Sequence, residues 1–277
     1  LATEARAPHR RFRNAPAYAQ IIRGRLRTAV VYRQNAAFLL AVVIVQTYIL
    51  RKVWTTLYDG AAEVDGVALQ SLLVYLTLAN LQNWALQDPS VGSYMYGRIR
   101  EGQVAFDLLR PPGFVPQMLA HLCGSSLAML LFAVAALPVV AFAGALGPPA
   151  SAMALGYWLV SLVCGYAVAI LLNLIIGMVA FWTMEINGVT VLYYLINQFL
   201  AGALVPLSFF PDVLRHLADL LPFQATTYTP VAIYVGQIAE DRAARAIGIQ
   251  ILWVVLLALL ARRIWKAALH RVVVQGG

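Results

Sequence analysis

Long apolar runs alternate with short polar ones along this chain, and the runs have the length of helices. Residues from about Thr28 to Leu50, Val67 to Leu86, Gln117 to Phe142, Ser151 to Phe181, Gly188 to Val205 and Ile247 to Ile264 are predominantly apolar. Each holds about 20 residues, enough to cross a hydrocarbon core as a helix. None shows the roughly ten-residue alternation of an outer-membrane barrel strand. The pattern predicts an all-α integral membrane protein with six transmembrane helices.

The longest polar interruption in the first half runs from Asp88 to Phe114. Asp88 followed by Pro89 reads as a helix start, and Pro111, Pro112 and Gly113 end whatever follows. Val91, Met95, Ile99, Phe106 and Leu109 recur at helical spacing; Arg98, Arg100, Glu101, Gln103, Asp107 and Arg110 supply the other face. Gly97 and Gly102 are expected to divide it into short helices. Such a face can lie on lipid or meet a soluble protein. Its mixture of both charge signs favours protein docking over contact with anionic lipid.

Residues 206–235, between the fifth and sixth runs, are neither an ordinary loop nor a span. Pro206, Pro211, Pro222 and Pro230 cut this stretch into pieces, and Leu214, Leu217, Leu220 and Leu221 outline one short amphipathic helix. Two readings stand: a hairpin that dips back into the outer leaflet and roofs a path, or an interfacial loop anchored by Phe209, Phe210 and Tyr228. Loops this long usually carry a function, which favours the roof. In that reading Pro206, Phe209, Phe210, Pro211, Pro222 and Phe223 form an outer gate packed on the first, second and fifth spans.

Composition sharpens the class. The chain is 61% hydrophobic and only 12% charged, far outside the range of a soluble domain. Its formal net charge of +8 does not point to nucleic acid, because the basic residues flank the apolar runs without interleaved stacking aromatics. They set orientation instead. Most of the 20 Lys and Arg residues lie in the N-terminal 33 residues, in the central stretch at Arg98, Arg100 and Arg110, or near the C-terminus at Arg262, Arg263, Lys266 and Arg271. Both termini and the central stretch are therefore expected in the cytoplasm, and the loop with Asp59, Glu63 and Asp65 outside. Residues 1–27 read as a basic segment with an amphipathic surface helix from Pro16, and not as a signal peptide. With leucine at position 1, the native start is expected to have been trimmed.

The chemistry is sparse. His9, His121, His216 and His270 are scattered, and no Ser/His/Asp arrangement is apparent. Cys123 and Cys164 read as small apolar filler. The runs carry almost no intramembrane charge of the kind ion-driven carriers use. Their polar residues are amides and hydroxyls. Gln46, Asn80, Asn83, Asn197 and Gln198 could line a translocation path, or could simply hydrogen-bond helix to helix. The chain also lacks GxxxxGK followed by Ser or Thr, so it binds no ATP through a P-loop of its own.

With GQVAFDLLRPPG after the second run, FWTME after the fourth, GALVPLSFFPDVLRHLADLLPFQATTYTPVAIYVGQ after the fifth and a terminal RVVVQGG, the whole chain resembles the permease subunit of ABC-2 type exporters. The branch is the one whose ATPase is a separate polypeptide. The resemblance implies a six-span permease domain over 28–277, with a coupling helix within about 90–110 that seats on the ATPase through Arg98, Arg100, Glu101, Gly102, Asp107 and Arg110. It implies the re-entrant outer hairpin, two copies of a soluble P-loop ATPase that bind ATP and magnesium, and a second permease, identical or paralogous. This chain itself would bind no cofactor and would sit in the inner (plasma) membrane. An apolar path suits amphiphilic drugs, antibiotics or lipids equally. The competing readings are an assembly or immunity factor that transports nothing, and an ATP-independent channel or carrier.

Overall fold

The computed structural model describes residues 15–31, 33–61, 63–64, 66–86, 90–109, 113–142, 146–183 and 186–275. Among the described residues the chain is all-α apart from one hairpin of two-residue strands. The helices are α1 (Ala15–Val31), α2 (Arg33–Leu57), α3 (Leu69–Leu86), α4 (Ser90–Arg100), α5 (Gln103–Leu109), α6 (Phe114–Phe142), α7 (Ala152–Met178), α8 (Asn187–Leu200), α9 (Asp212–Asp219), α10 (Tyr228–Tyr234) and α11 (Glu240–Gln275). Strands β1 (Glu63–Val64) and β2 (Val67–Ala68) pair antiparallel, with Glu63 opposite Ala68. Among the described residues three segments, Phe114–Pro138, Ala152–Phe181 and Glu240–Arg271, are long and apolar enough to cross a membrane by length and composition.

Element boundaries differ from the apolar runs where a local conformation overrides hydropathy. The first helix does not begin at Thr28, because α1 carries its helical pattern on to Val31 and α2 starts at Arg33. The last run is the core of a longer helix, since nothing in Glu240–Gln275 is a proline or a cap that would stop it. The fifth run stops short at Leu200, where Ala201 and the positive-φ Gly202 turn the chain. Tyr75 of α3 fixes that turn by donating its hydroxyl to the Gly202 carbonyl at 2.8 Å. α6 runs through Pro138 without a break.

α1 packs along α6. Gly124 lets Ile22 and Arg25 come close, and Arg25 Nε donates to Ser125 Oγ at 2.9 Å. The helix expected along the membrane surface is thus held against the bundle. The largest core joins α4, α6, α7 and α11: Met95, Phe114, Met118, Leu122, Leu174, Met178, Phe181 and Ala268 are all buried. Phe114 stacks on Trp265 at 5.0 Å between centroids, with Phe181 edge-on. A second core joins Tyr58, α3 and α10 through Leu72, Tyr75, Leu76 and Val231.

The segment between α8 and α11 is built from the 3-10 turns Leu207–Phe209 and Pro222–Ala225 with α9 and α10. Its vertex at Ala225 and Thr226 lies against α7 at Gly165. A Cβ at Gly165 would sit 2.9 Å from the Thr226 carbonyl oxygen and 3.0 Å from that of Ala225, a clash with backbone that no rotamer relieves. Gly156, two turns earlier, has open space. Gly165→Val is therefore expected to lower the thermal stability of the purified protein by an amount equivalent to about 1–3 kcal/mol, with Gly156→Val close to neutral. Equal melting temperatures for the two variants would show that the segment does not rest on α7.

Candidate functional site

The central polar stretch folds as α4 and α5 joined at Glu101 and Gly102. Gly97 does not break α4, since a glycine inside a helix costs only about 1 kcal/mol. Gly102 does break the helix, with φ at +69°. The turn resets the helical phase, and this overturns the face assignment made from continuous periodicity. Val104 and Asp107, three apart, become the buried side of α5, whereas Phe106 is 66% exposed and Leu108 is exposed beside it. Asp107 is thus buried within the helix pair. Its carboxylate accepts from both arms of Arg98, with Nε to Oδ2 at 2.7 Å and Nη2 to Oδ1. This hydrogen bond is the first cause holding the Arg98 guanidinium above its ordinary pKa.

The brace continues inward. Arg98 lies over the Tyr94 ring at 5.6 Å, and Tyr94 stacks on His121 of α6 at 4.1 Å and 14°. Met95 on the neighbouring position is fully buried against α7. Left facing outward are Arg100, Glu101 and Gly102 with Phe106. Glu101 accepts a bond from Gln103 at 2.7 Å. Arg110 lies outside the described residues.

At the other segment, buried amides reach a broken backbone. Gln250 of α11 donates through Nε2 to the Ala225 carbonyl at 2.7 Å and to the Ser161 carbonyl at 3.1 Å, and its Oε1 accepts from Ser161 Oγ at 2.9 Å. Gln82 of α3 donates to the Thr226 carbonyl at 2.6 Å. Pro206 and Pro222 are buried and Pro211 is exposed. Phe209 packs on Trp54 of α2 at 5.2 Å, Phe210 on Phe199 of α8 at 4.8 Å, and Phe223 near Tyr193 at 6.4 Å. α9 turns its apolar side outward, with Val213 and Leu217 exposed and Leu220 exposed just after it.

Of the amides expected along a path, Gln46, Asn80, Asn83 and Asn197 are engaged between helices. Asn80 donates to Thr47 Oγ1 at 3.1 Å and Gln46 accepts from Trp84 Nε1 at 3.1 Å, both joining α2 to α3. Asn197 Nδ2 reaches Asn83 Oδ1 at 3.5 Å between α8 and α3, and the buried Asn197 Oδ1 meets no acceptor-seeking partner. Gln198 is half-buried one position on. A groove of about 630 Å³ runs beside Gln46, lined by Phe38, Val45, Ile49 and Leu204.

A helical chain with long apolar spans, a braced polar helix pair and a broken segment bound by buried amides has the make-up of an integral membrane protein. The family model for ABC-2 family transporter proteins matches residues 41–276, and the chain belongs to that family. Membership makes it a transport subunit of the membrane and implies association with an ABC ATPase. No curated protein matches the chain.

Sequence reasoning missed three of the residues that organise these regions. Gln250 was legible as the one amide in the apolar run from Ile247 to Leu260. Tyr94 and His121 carry no local signal, because their stacking joins helices far apart in sequence. The brace itself is testable. Arg98→Leu leaves the Asp107 carboxylate buried without its partner and is expected to destabilise by about 3 kcal/mol, whereas Arg98→Leu with Asp107→Leu recovers most of the loss. Thermal melts of the single and double variants measure this. Additive losses would mean the pair is not coupled.

Proposed function

We propose that this chain is the permease subunit of an ATP-driven ABC-2 exporter whose ATPase is a separate polypeptide, moving an amphiphilic or hydrophobic substrate out of the cell. The six spans are α2, α3, α6, α7, α8 and α11, in the inner membrane with both termini cytoplasmic, as the Lys and Arg distribution favours. α8 holds 14 residues, about 21 Å of helix, and stops short of a full crossing. The segment after it completes the outer half as a re-entrant hairpin. Its depth is supported by its partners, since Gln82 and Gly165 lie about 20 Å along α3 and α7 from the ends at Leu69 and Ala152.

The ATPase seats on α4 and α5 through Arg100, Glu101, Gly102 and Phe106, together with Arg110, which lies outside the described residues. Arg98 and Asp107 hold the surface rigid and do not meet the partner. Two ATPase copies binding ATP and magnesium close on each other and move α5. The displacement passes along Asp107, Arg98, Tyr94 and His121 into α6. A second permease, identical or paralogous, covers the α2 groove and completes a path past Gln46, Asn80, Asn83, Asn197 and Gln198. Pro206, Phe209, Phe210, Pro211, Pro222 and Phe223 gate its exit, and α9 lies with its apolar side in the outer leaflet.

The observation that carries the reading is the exposed Phe106 on a helix pair that is otherwise braced. A large aromatic at the centre of a charged rim is the usual anchor of a protein interface. Phe106→Asp is expected to weaken association with the ATPase encoded beside the chain by about 2–4 kcal/mol, on the order of 30-fold or more. Folding should be unchanged, and the chain alone should hydrolyse no ATP. Full co-purification and transport by Phe106→Asp, or hydrolysis by the isolated chain after a mutant control, would contradict the proposal.

A further inference from the structure

Between α8 and α11 the chain is held at both ends of the broken segment and scarcely in its middle. Before α9, Pro206 and Leu207 are buried, Phe209 packs on Trp54 and Phe210 on Phe199. After it, Pro222, Ala225, Thr226, Thr227 and Val231 are buried, and α10 lies along α7. Within residues 211–221, Ala218 is the one buried side chain, clustered with Leu200, Leu207 and Phe210. Val213 and Leu220 are 82% and 73% exposed, so lifting α9 away uncovers Ala218 and little other apolar surface.

Hydrogen bonding draws the same line. Arg215 N donates to the Pro211 carbonyl, Leu220 N to that of His216 and Leu221 N to that of Ala218, all within residues 211–221. The bond that leaves this stretch, from Gln224 Nε2 to the Asp219 carbonyl, is 3.4 Å long. Pro211 and Pro222 have no N–H to bond across either joint, and Phe210, Pro211 and Leu221 are extended, with ψ at 143°, 148° and 154°. The stretch after Pro222 is fastened instead. The Tyr234 hydroxyl donates to the Gly147 carbonyl at 2.9 Å, and the Tyr234 carbonyl accepts from Ala150 N at 2.9 Å. Ser151 caps α7 by accepting from Ala154 N at 2.9 Å and donates to the Glu240 carboxylate, joining the first turns of α7 and α11. Gly236 permits this approach, since a Cβ there would lie 3.0 Å from the Ala150 methyl.

We propose that the segment is built as a flap and a root. Residues 211–221 swing out as one unit about joints at Pro211 and Pro222, while residues 222–240 stay clasped to α7 by residues 147–151. A short helix with one apolar anchor is the low-stability element of such a pair, and a stretch gripped at both ends and by the buried amides Gln82 and Gln250 is the high-stability one. Prolines at the ends of a moving element serve as its hinges. The flap and not the root is then the moving part of the exit gate. That last step rests on the exporter reading above; the division into two units does not.

Hydrogen exchange of the full chain in nanodiscs separates the two units without an ATPase or a substrate. In the unaltered chain, amides of 212–221 should exchange about 100-fold faster than those of 228–236. Ala218→Asp places a charge in the seat of α9 and should speed 212–221 by about tenfold, with 228–236 unchanged. Tyr234→Phe with Ser151→Ala removes the clasp bonds and should speed 228–240 by about tenfold, with 212–221 unchanged. Equal exchange of the two stretches in the unaltered chain, or acceleration of both by either variant, would overturn the division. The gating step is read separately, from nitroxides at Arg215→Cys and Asp241→Cys in the complex with the ATPase, after replacement of Cys123 and Cys164. Binding of a non-hydrolysable ATP analogue should change the mobility of the label on the flap and leave that at 241 as it was. Unchanged spectra at both positions would overturn the gating step while the division stands on the exchange result.

Discussion

The hydrogen bonds from Gln250 to the Ala225 carbonyl and from Gln82 to the Thr226 carbonyl are the constraint around which the second half of the molecule is arranged. Where helical pairing stops inside an apolar bundle, freed carbonyls have no water to turn to, and each orphan costs several kcal/mol in hydrocarbon. The chain answers with two side-chain amides from helices distant in sequence. Gly165 supplies the third requirement, a wall without a Cβ on which two carbonyls can rest. Ser161 then satisfies the Gln250 oxygen, so this amide is paired on both sides.

The opposite end of the bundle follows the same logic with charge in place of amides. Burying the Asp107 carboxylate is tolerable because Arg98 meets it with two parallel bonds, and Arg98 is itself seated over Tyr94. Phe106 is pushed outward as a result, since the residue before a buried Asp107 on a short helix has nowhere else to go. One end therefore holds a polar group inside and presents an apolar one; the other holds a broken backbone inside and presents the apolar side of α9. Between them α6 and α7 run as long, continuous apolar helices.

Hydropathy alone located the helices well, because apolar length is a local property. It placed α3, α6 and α7 within a few residues of their observed ends. It erred where one backbone conformation decides the outcome. Gly202 ends α8 before the apolar run does, and Gly102 rotates α5 so that Phe106 and Asp107 exchange sides. The proline-cut stretch read correctly as a structured segment, yet the residues that fix it were invisible as a group. Gln82 and Gln250 are 168 positions apart and are joined through the broken segment that each touches. The α4–α5 pair shows the same limit: its charges were legible, their partners were not.

The most direct measurement is hydrogen exchange of the reconstituted chain before and after replacing Gln82 and Gln250 by leucine, which keeps apolar volume and removes both donors. Losing the two bonds to the segment, along with those between Gln250 and Ser161, and orphaning the Ala225 and Thr226 carbonyls should free the segment by about 1–3 kcal/mol for each site. Amides in 222–236 should then exchange at least tenfold faster, with those of α6 unchanged. Unaltered exchange across 222–236 in the folded double variant would contradict the account, because the broken segment would then be held by something other than these two amides.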